Sequence, residues 1–178
     1  TITIEAGDVT GAIGTNGGNK LKQILFNGVS NVTSIDATAV TINNAAANVT
    51  AAGLITGAVS YTEAGTLTAN NGITGNVDFA GNEGILQLAD GVTITGDVDS
   101  SAALAGTLEF LGKGIVTGTI GATNPLSALK FSGAGDSAIP AANAKTIEVA
   151  NAAANVTASD LLTGDVLFSA DGSLVADK

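Results

Sequence analysis

The chain has 178 residues, of which 24 are Gly and 2 are Pro, and its net charge is −10 with only six basic side chains. So few cations cannot neutralise a run of phosphates or hold an anionic membrane surface, which argues against nucleic acid and a polybasic membrane contact. No stretch approaches the roughly 20 apolar residues of a membrane helix, so no membrane insertion by this segment is expected. The chain contains no Cys and no His, so disulfides, thiolate chemistry and Ser-His-Asp or Cys-His catalysis are excluded.

Short strands separated by Gly-rich turns are predicted from the opening TITIEAGDVTG onward. The pattern apolar-Thr-Gly-x-Val/Ile then recurs along the chain, so a unit of 18 to 23 residues is repeated. Its threonines are Thr10, Thr56, Thr74, Thr95, Thr117 and Thr163, spaced by 46, 18, 21, 22 and 46 residues. A second predicted strand follows each copy: ILF at 24, LTA at 67, LQL at 86, LEF at 108, LKF at 129 and LVA at 174. The longer units add a third strand near SIDATAVTI and AKTIEVA.

Apolar and polar residues alternate within these strands, which is typical of a strand with one buried face. The alternate residues predicted to face the core end at Phe79 in ITGNVDF, at Phe168 in LTGDVLF and at Tyr61 in ITGAVSY. The sequence therefore predicts that these three aromatic rings belong to the core and are not exposed platforms for a ligand.

A longer repeat contains the short one. The octapeptide NAAANVTA occurs at 44–51 and again at 151–158, a shift of 107 residues, and residues 9–70 match residues 116–177. Units of about twenty residues cannot bury their own apolar faces, but stacked units can. The prediction is an all-β fold, a parallel β-solenoid and specifically a right-handed β-helix of roughly eight coils, about 40 Å long. The two octapeptides are predicted to be equivalent corners of one column, with Asn at positive φ and Asn side chains stacked along the axis.

The best candidate site is acidic. If ITGNVD and ITGDVD stack, Asn76 lies over Asp97 and Asp78 lies over Asp99, facing outward. Carboxylates so close repel unless water or a cation such as calcium lies between them. The glycine-aspartate nonapeptides of calcium-binding β-rolls are absent, which favours a solvated acidic patch, and no metal or other cofactor is predicted. The lysines are scattered and no Ser-x-x-Lys occurs, so no catalytic residue and no enzyme is predicted.

Two further motifs are interpreted as turns. The tripeptide NVT at Asn31, Asn48 and Asn155 fits a glycosylation signal, but turn chemistry is favoured. The stretch TNGGNK at Thr15 to Lys20 lacks the spacing of a phosphate-binding loop. Both are expected to connect strands.

The stretches ITGNVDFAGNEGILQLADGVTITGDVD, GTLEFLGKGIVTGTIGATNPL and VTGAIGTNGGNKLKQILFNG resemble the passenger region of rickettsial outer-membrane proteins A and B, autotransporters of the surface cell antigen family. The resemblance covers most of the chain. It implies a secreted passenger on the bacterial cell surface, at the outer membrane, which acts in adhesion to and invasion of host cells through a host cell-surface protein. It carries over no catalytic or binding residue.

Residues 1–178 are accordingly expected to be one solenoid segment of a longer passenger. Two alternatives stay open: a structural surface coat or spacer without a specific receptor, and a carbohydrate-active β-helix. The ends of such a segment are expected to present unpaired strand edges, with lateral or end-to-end self-association.

Overall fold

The computed structural model describes residues 1–14 and 20–176, which form twenty β-strands and no helix. SIDATAVTI, predicted as a third strand, lies within β4 (Val29–Ile42), and AKTIEVA lies within β17 (Ala142–Val149) except for its last residue, Ala150. The bounds are β1 (Ile2–Ile4), β2 (Val9–Ile13), β3 (Leu21–Phe26), β4 (Val29–Ile42), β5 (Asn48–Ala51), β6 (Ile55–Tyr61), β7 (Thr66–Ala69), β8 (Ile73–Thr74), β9 (Val77–Asp78), β10 (Ile85–Leu88), β11 (Val92–Thr95), β12 (Val98–Asp99), β13 (Thr107–Phe110), β14 (Gly114–Val116), β15 (Leu126–Phe131), β16 (Gly135–Ile139), β17 (Ala142–Val149), β18 (Ala154–Ala158), β19 (Leu162–Phe168) and β20 (Ser173–Ala176).

The strand pairings of the described residues are all parallel and join positions about one unit apart, so they line up in three ladders. Ladder A joins the inward residues Ile2, Ile24, Val40, Val59, Val77, Val98, Ile120, Ala142 and Leu162. Ladder B joins Val9, Val32, Ala51, Ala69, Leu88, Phe110, Phe131, Val149 and Phe168. Ladder C joins Ile13, Ile35, Ile55, Ile73, Ile94, Val116, Ile139, Ala158 and Ala176. The chain visits A, B and C in order about nine times, which confirms the parallel β-solenoid; the right-handed sense of the coil stays a prediction.

The core runs along the axis between the three ladders. Tyr61 and Phe79 are fully buried with ring centroids 4.9 Å apart, and Phe110 stacks on Phe131 at 4.8 Å. The hydroxyl of Tyr61 donates a hydrogen bond to the carbonyl of Ile85, and burial raises its pKa far above the ordinary value. The core assignment of Tyr61 and Phe79 is thus confirmed.

The same assignment is wrong for Phe168, which is 49% exposed. Its position in ladder B is equivalent to that of buried Val149, with which it pairs. Among the described residues, however, no strand stacks on the far side of β19. Alternation within a strand says which side chains face inward, but burial also needs a turn above and below.

The Thr-Gly motif forms the bends between ladders. At Gly75 φ is +146°, and a Cβ there would lie 2.6 Å from the carbonyl carbon of Gly57 in the preceding turn. Only glycine fits, because the neighbouring backbone occupies the space a side chain needs. Four of the six motifs lie between ladders C and A, but Thr10-Gly11 lies between B and C, and Thr163-Gly164 lies between A and B. The motif therefore specifies a bend at any of the three corners.

This corrects the prediction that the two NAAANVTA copies share one column. Val49 of the first copy lies in the strands of ladder B, whereas Val156 of the second lies in those of ladder C. Likewise Ile13 belongs to ladder C and its counterpart Ile120 to ladder A. A shift of 107 residues carries the sequence five turns along the axis and one ladder around it. Strands in all three ladders share the same alternation of apolar and polar residues. The sequence match alone therefore does not show that the second copy lies one ladder further around the axis.

The predicted role of the Asn residues is partly wrong. Asn44 and Asn151 do make turns, in which each side chain accepts a hydrogen bond from the amide two residues on, at 2.8 and 2.9 Å. Yet the only described non-glycine residues with positive φ are Ala80 and Leu104. Side-chain stacking occurs instead one residue earlier, where Asn43 donates to Asn27 at 2.9 Å.

The NVT tripeptides are not turns. They lie in strands β4, β5 and β18. The apolar Val faces inward and the flanking Asn and Thr face outward, which is the alternation of a strand. The TNGGNK stretch lies outside the described residues, apart from Lys20.

Candidate functional site

The predicted acidic cluster forms in the part of the chain that connects ladders C and A. Asp78 and Asp99 are paired neighbours in β9 and β12, and Asn76 lies beside Asp97, as the stacking of ITGNVD on ITGDVD predicts. Together with Ser101 and Thr123 they line a surface cleft of about 300 Å³, called here the acidic cleft.

Each carboxylate of the acidic cleft accepts hydrogen bonds from the following turn. Asp78 accepts bonds from the amide and hydroxyl of Ser101, at 3.0 and 2.7 Å. Asp97 accepts bonds from the amide and hydroxyl of Thr119, at 2.7 and 2.9 Å. These acids therefore clamp successive turns together and satisfy backbone donors that the bend leaves without a ladder partner.

The carboxylate of Asp99 also accepts hydrogen bonds from the following turn. Burial alone would raise the pKa of Asp99, but hydrogen bonds donated by Thr123, Ser100 and Asn124 outweigh burial and lower it. A carboxylate that accepts several backbone bonds is stabilised in its charged form. Among the described residues there is no group of three or more Asp, Glu, His or Cys side chains arranged to hold a metal ion.

A second polar row runs along the outside of ladder B. Thr68 donates to Gln87 at 3.0 Å, and Gln87 donates to Glu109 at 3.0 Å. One turn further, Lys130 lies 3.8 Å from Glu148. The outward side chains of this row bond chiefly to each other, so they stabilise the stack as well as presenting a polar surface.

Five of the eleven large apolar side chains that are exposed in the described part of the chain lie in its last turn. Leu161, Val166, Leu167, Phe168 and Val175 are between 47% and 60% exposed. Within the described chain, β19 pairs with β17 alone and β20 pairs with β18 alone. The predicted unpaired edge is present at this end; association through it stays a prediction.

One charged pair in the structure was not predicted from the sequence. The ammonium of Lys20 lies 3.3 Å from Oδ1 of Asp36, which is only 7% exposed. Asp36 forms part of a cleft of about 240 Å³ with Ile13, Leu54 and Thr56, called here the Asp36 cleft. In the sequence repeat Asp36 aligns with Asn143, so the two copies differ in charge at this position. That difference does not indicate a site unless the position is known to be buried.

No helix in the described part of the chain is long and apolar enough to cross a membrane. Comparison of the chain with known protein families, with characterised proteins and with solved structures finds no match.

Proposed function

We propose that the chain is a segment of a surface-displayed bacterial passenger that mediates adhesion to host cells through a host cell-surface protein. The observation that carries the proposal is the stacking of four Thr-Gly bends, at Thr56, Thr74, Thr95 and Thr117, along one corner of the solenoid. Each bend can make a weak contact, and several weak contacts on one rod add through effective concentration. The resemblance of TGNVDFAGN and LEFLGKGIVTGTIGATN to rickettsial passengers supports the same function.

A surface coat or spacer is the second candidate. It is favoured by the hydrogen-bonded outer row of Thr68, Gln87 and Glu109, because polar groups that satisfy each other gain less from a receptor. No observation favours a carbohydrate-active β-helix, since the residues that line the acidic cleft include no lysine.

An adhesion assay with protein-coated beads distinguishes an adhesin from a surface coat or spacer. Beads carrying the chain should adhere to cultured epithelial cells, and excess free chain should displace them, because the contacts along a single rod already add. A coat or spacer would give the same adhesion as beads coated with an unrelated acidic protein of equal charge. Adhesion that excess free chain does not reduce would contradict binding through contacts along one rod.

A further inference from the structure

The outer face of ladder C exposes almost no charge. Its outward side chains form two columns, which together are called here face C. The first column lies one residue before the inward members of the ladder and consists of Ala12, Ser34, Leu54, Gly72, Thr93, Ile115, Ala138, Thr157 and Val175. The second lies one residue after them, and its described members are Gly14, Asp36, Thr56, Thr74, Thr95, Thr117, Pro140 and Ser159. Among these residues Asp36 alone is charged, and its carboxylate is buried beside Lys20.

The other two outer faces carry acids. Asp78 and Asp99 lie on the outside of ladder A, and Glu109 and Glu148 lie on the outside of ladder B. Each chain has a net charge of −10, so two copies that approach through either of these faces repel each other. Face C is the side on which two copies can meet without bringing like charges together.

Face C also exposes apolar surface. Leu54, Ile115 and Val175, all in the first column, are 40%, 36% and 54% exposed. The backbone beneath them is an all-parallel sheet, a kind of sheet that is usually covered on both sides. A covering partner would remove these three side chains from water.

The order of side-chain sizes along the first column indicates what that partner is. Thr93 is the middle member of nine, with four residues on either side. When the column is reversed about Thr93, every large side chain falls opposite a small one. The opposed pairs are Leu54 and Ala138, Gly72 and Ile115, Ser34 and Thr157, and Ala12 and Val175. A column that fits its own reverse fits a second copy of the same chain, because a two-fold interface must be self-complementary.

We propose that two copies of the chain pair through face C with their long axes antiparallel, about a two-fold axis that runs along β11 at Thr93. Ile115 of one copy then fills the space above Gly72 of the other and lies against Leu54. That leucine already leans over Gly72, since a Cβ at Gly72 would lie 3.7 Å from its Cδ1. In the second column Thr95 opposes Thr95 and Thr74 opposes Thr117, and hydroxyl groups can pair because each both donates and accepts.

The size of face C sets the strength of the pairing. Nine turns at a spacing of about 4.8 Å give a length of about 38 Å, and two columns give a width of about 12 Å. The pair would therefore bury about 900 Å² in total, which is typical of a weak, reversible interface. We expect association at hundreds of micromolar in solution. The pairing is independent of adhesion, because it needs only face C and no receptor.

Single-cysteine variants test the pairing, since the chain has no cysteine of its own. Thr93→Cys lies on the two-fold axis and should form a disulfide-linked dimer under mild oxidation at about 0.3 mM chain. Thr107→Cys is the matched control: it is also a half-buried outward threonine of a strand, but it lies on ladder B. Thr93→Cys should react at least about tenfold faster, because pairing raises the effective concentration of its thiol.

A second pair of variants tests the antiparallel register. Leu54→Cys and Ala138→Cys should each react slowly alone, because in the proposed pair identical residues are four turns, about 19 Å, apart. An equimolar mixture should give the Leu54→Cys and Ala138→Cys heterodimer rapidly, identified by mass spectrometry with one chain isotope-labelled.

Sedimentation velocity tests the interface without cross-linking. Ile115→Lys should abolish the dimer while keeping the fold, because this side chain already faces solvent. Raising the salt concentration from 0.05 to 0.5 M should strengthen association of the unmodified chain, because salt screens the repulsion between two acidic chains.

The proposal is overturned if Thr93→Cys reacts no faster than Thr107→Cys. Equal rates for Leu54→Cys alone and for the mixture would exclude the antiparallel register. Association that Ile115→Lys leaves unchanged, or that salt weakens, would place the contact on a charged face. None of these results bears on binding to host cells, so the pairing and the proposed adhesion can fail separately.

Discussion

Replacing Gly75 by alanine tests why the Thr-Gly motif recurs. The added Cβ would lie 2.6 Å from the carbonyl carbon of Gly57, and the clash is with backbone, which cannot rotate away as a side chain can. The positive φ of Gly75 adds a conformational cost of about 1–2 kcal/mol for any L side chain. Relief requires these two turns to separate and weakens the bonds that join them beside the bend, from Val59 to Asn76 and from Ile55 to Gly72, at 2.9 and 3.1 Å. At about 1 kcal/mol each, these bring the total to roughly 3–4 kcal/mol.

Gly91→Ala is the matched control. Gly91 also has a positive φ, of +75°, but a Cβ there would meet nothing within 4 Å, so only the conformational cost of about 1–2 kcal/mol applies. The two variants are compared by urea unfolding monitored by circular dichroism. With an m-value of about 2 kcal/mol/M, the Gly75→Ala midpoint should lie about 1 M below that of Gly91→Ala. Equal midpoints would refute the claim that close approach of the turns requires glycine at the bends.

Three further predictions concern the core, the acidic cleft and the exposed end. Phe79→Ala should lower the free energy of unfolding by about 3–5 kcal/mol, whereas Phe168→Ala should lower it by less than about 1 kcal/mol, because the first ring is buried and the second is half-exposed. Both are measured by thermal or urea unfolding. Similar losses would show that Phe168 is covered in solution. The pKa of Asp99 is lowered from 3.8 on folding, so its contribution to stability is present above that pH and is lost as the pH falls through the folded-state value. Asp99→Asn should therefore flatten the acid end of the profile of stability against pH, and an unchanged profile would contradict the hydrogen bonding described. Phe168→Lys should reduce concentration-dependent self-association in sedimentation velocity by breaking end-to-end stacking, and a strict monomer for the unmodified chain would exclude that stacking.

Much of the fold could be predicted because its rules are local. Alternation in ITGNVDF placed Phe79 in the core, and the common spacing of ITGNVD and ITGDVD placed Asp78 beside Asp99. Both inferences need only the pleat of a strand and the stacking of similar units in register.

The parts that could not be predicted depend on where a unit lies in the stack. Phe168 obeys the alternation of its strand and is still exposed, because burial is set by the neighbouring turn. Val49 and Val156 share a sequence but not a ladder, because each corner accepts the same pattern. Lys20 and Asp36 lie in separate stretches of the sequence, and only their proximity in the folded chain identifies the ion pair between them.

The most direct test of the proposed adhesion is a binding isotherm of the purified, labelled chain on cultured endothelial or epithelial cells, competed with unlabelled chain. The folded state is checked first by a strand-rich circular dichroism spectrum. Saturable binding that the unlabelled chain displaces is the predicted result, and it would locate receptor recognition within these 178 residues. Binding that rises linearly with concentration and resists competition would contradict adhesion by this segment and favour a coat or spacer.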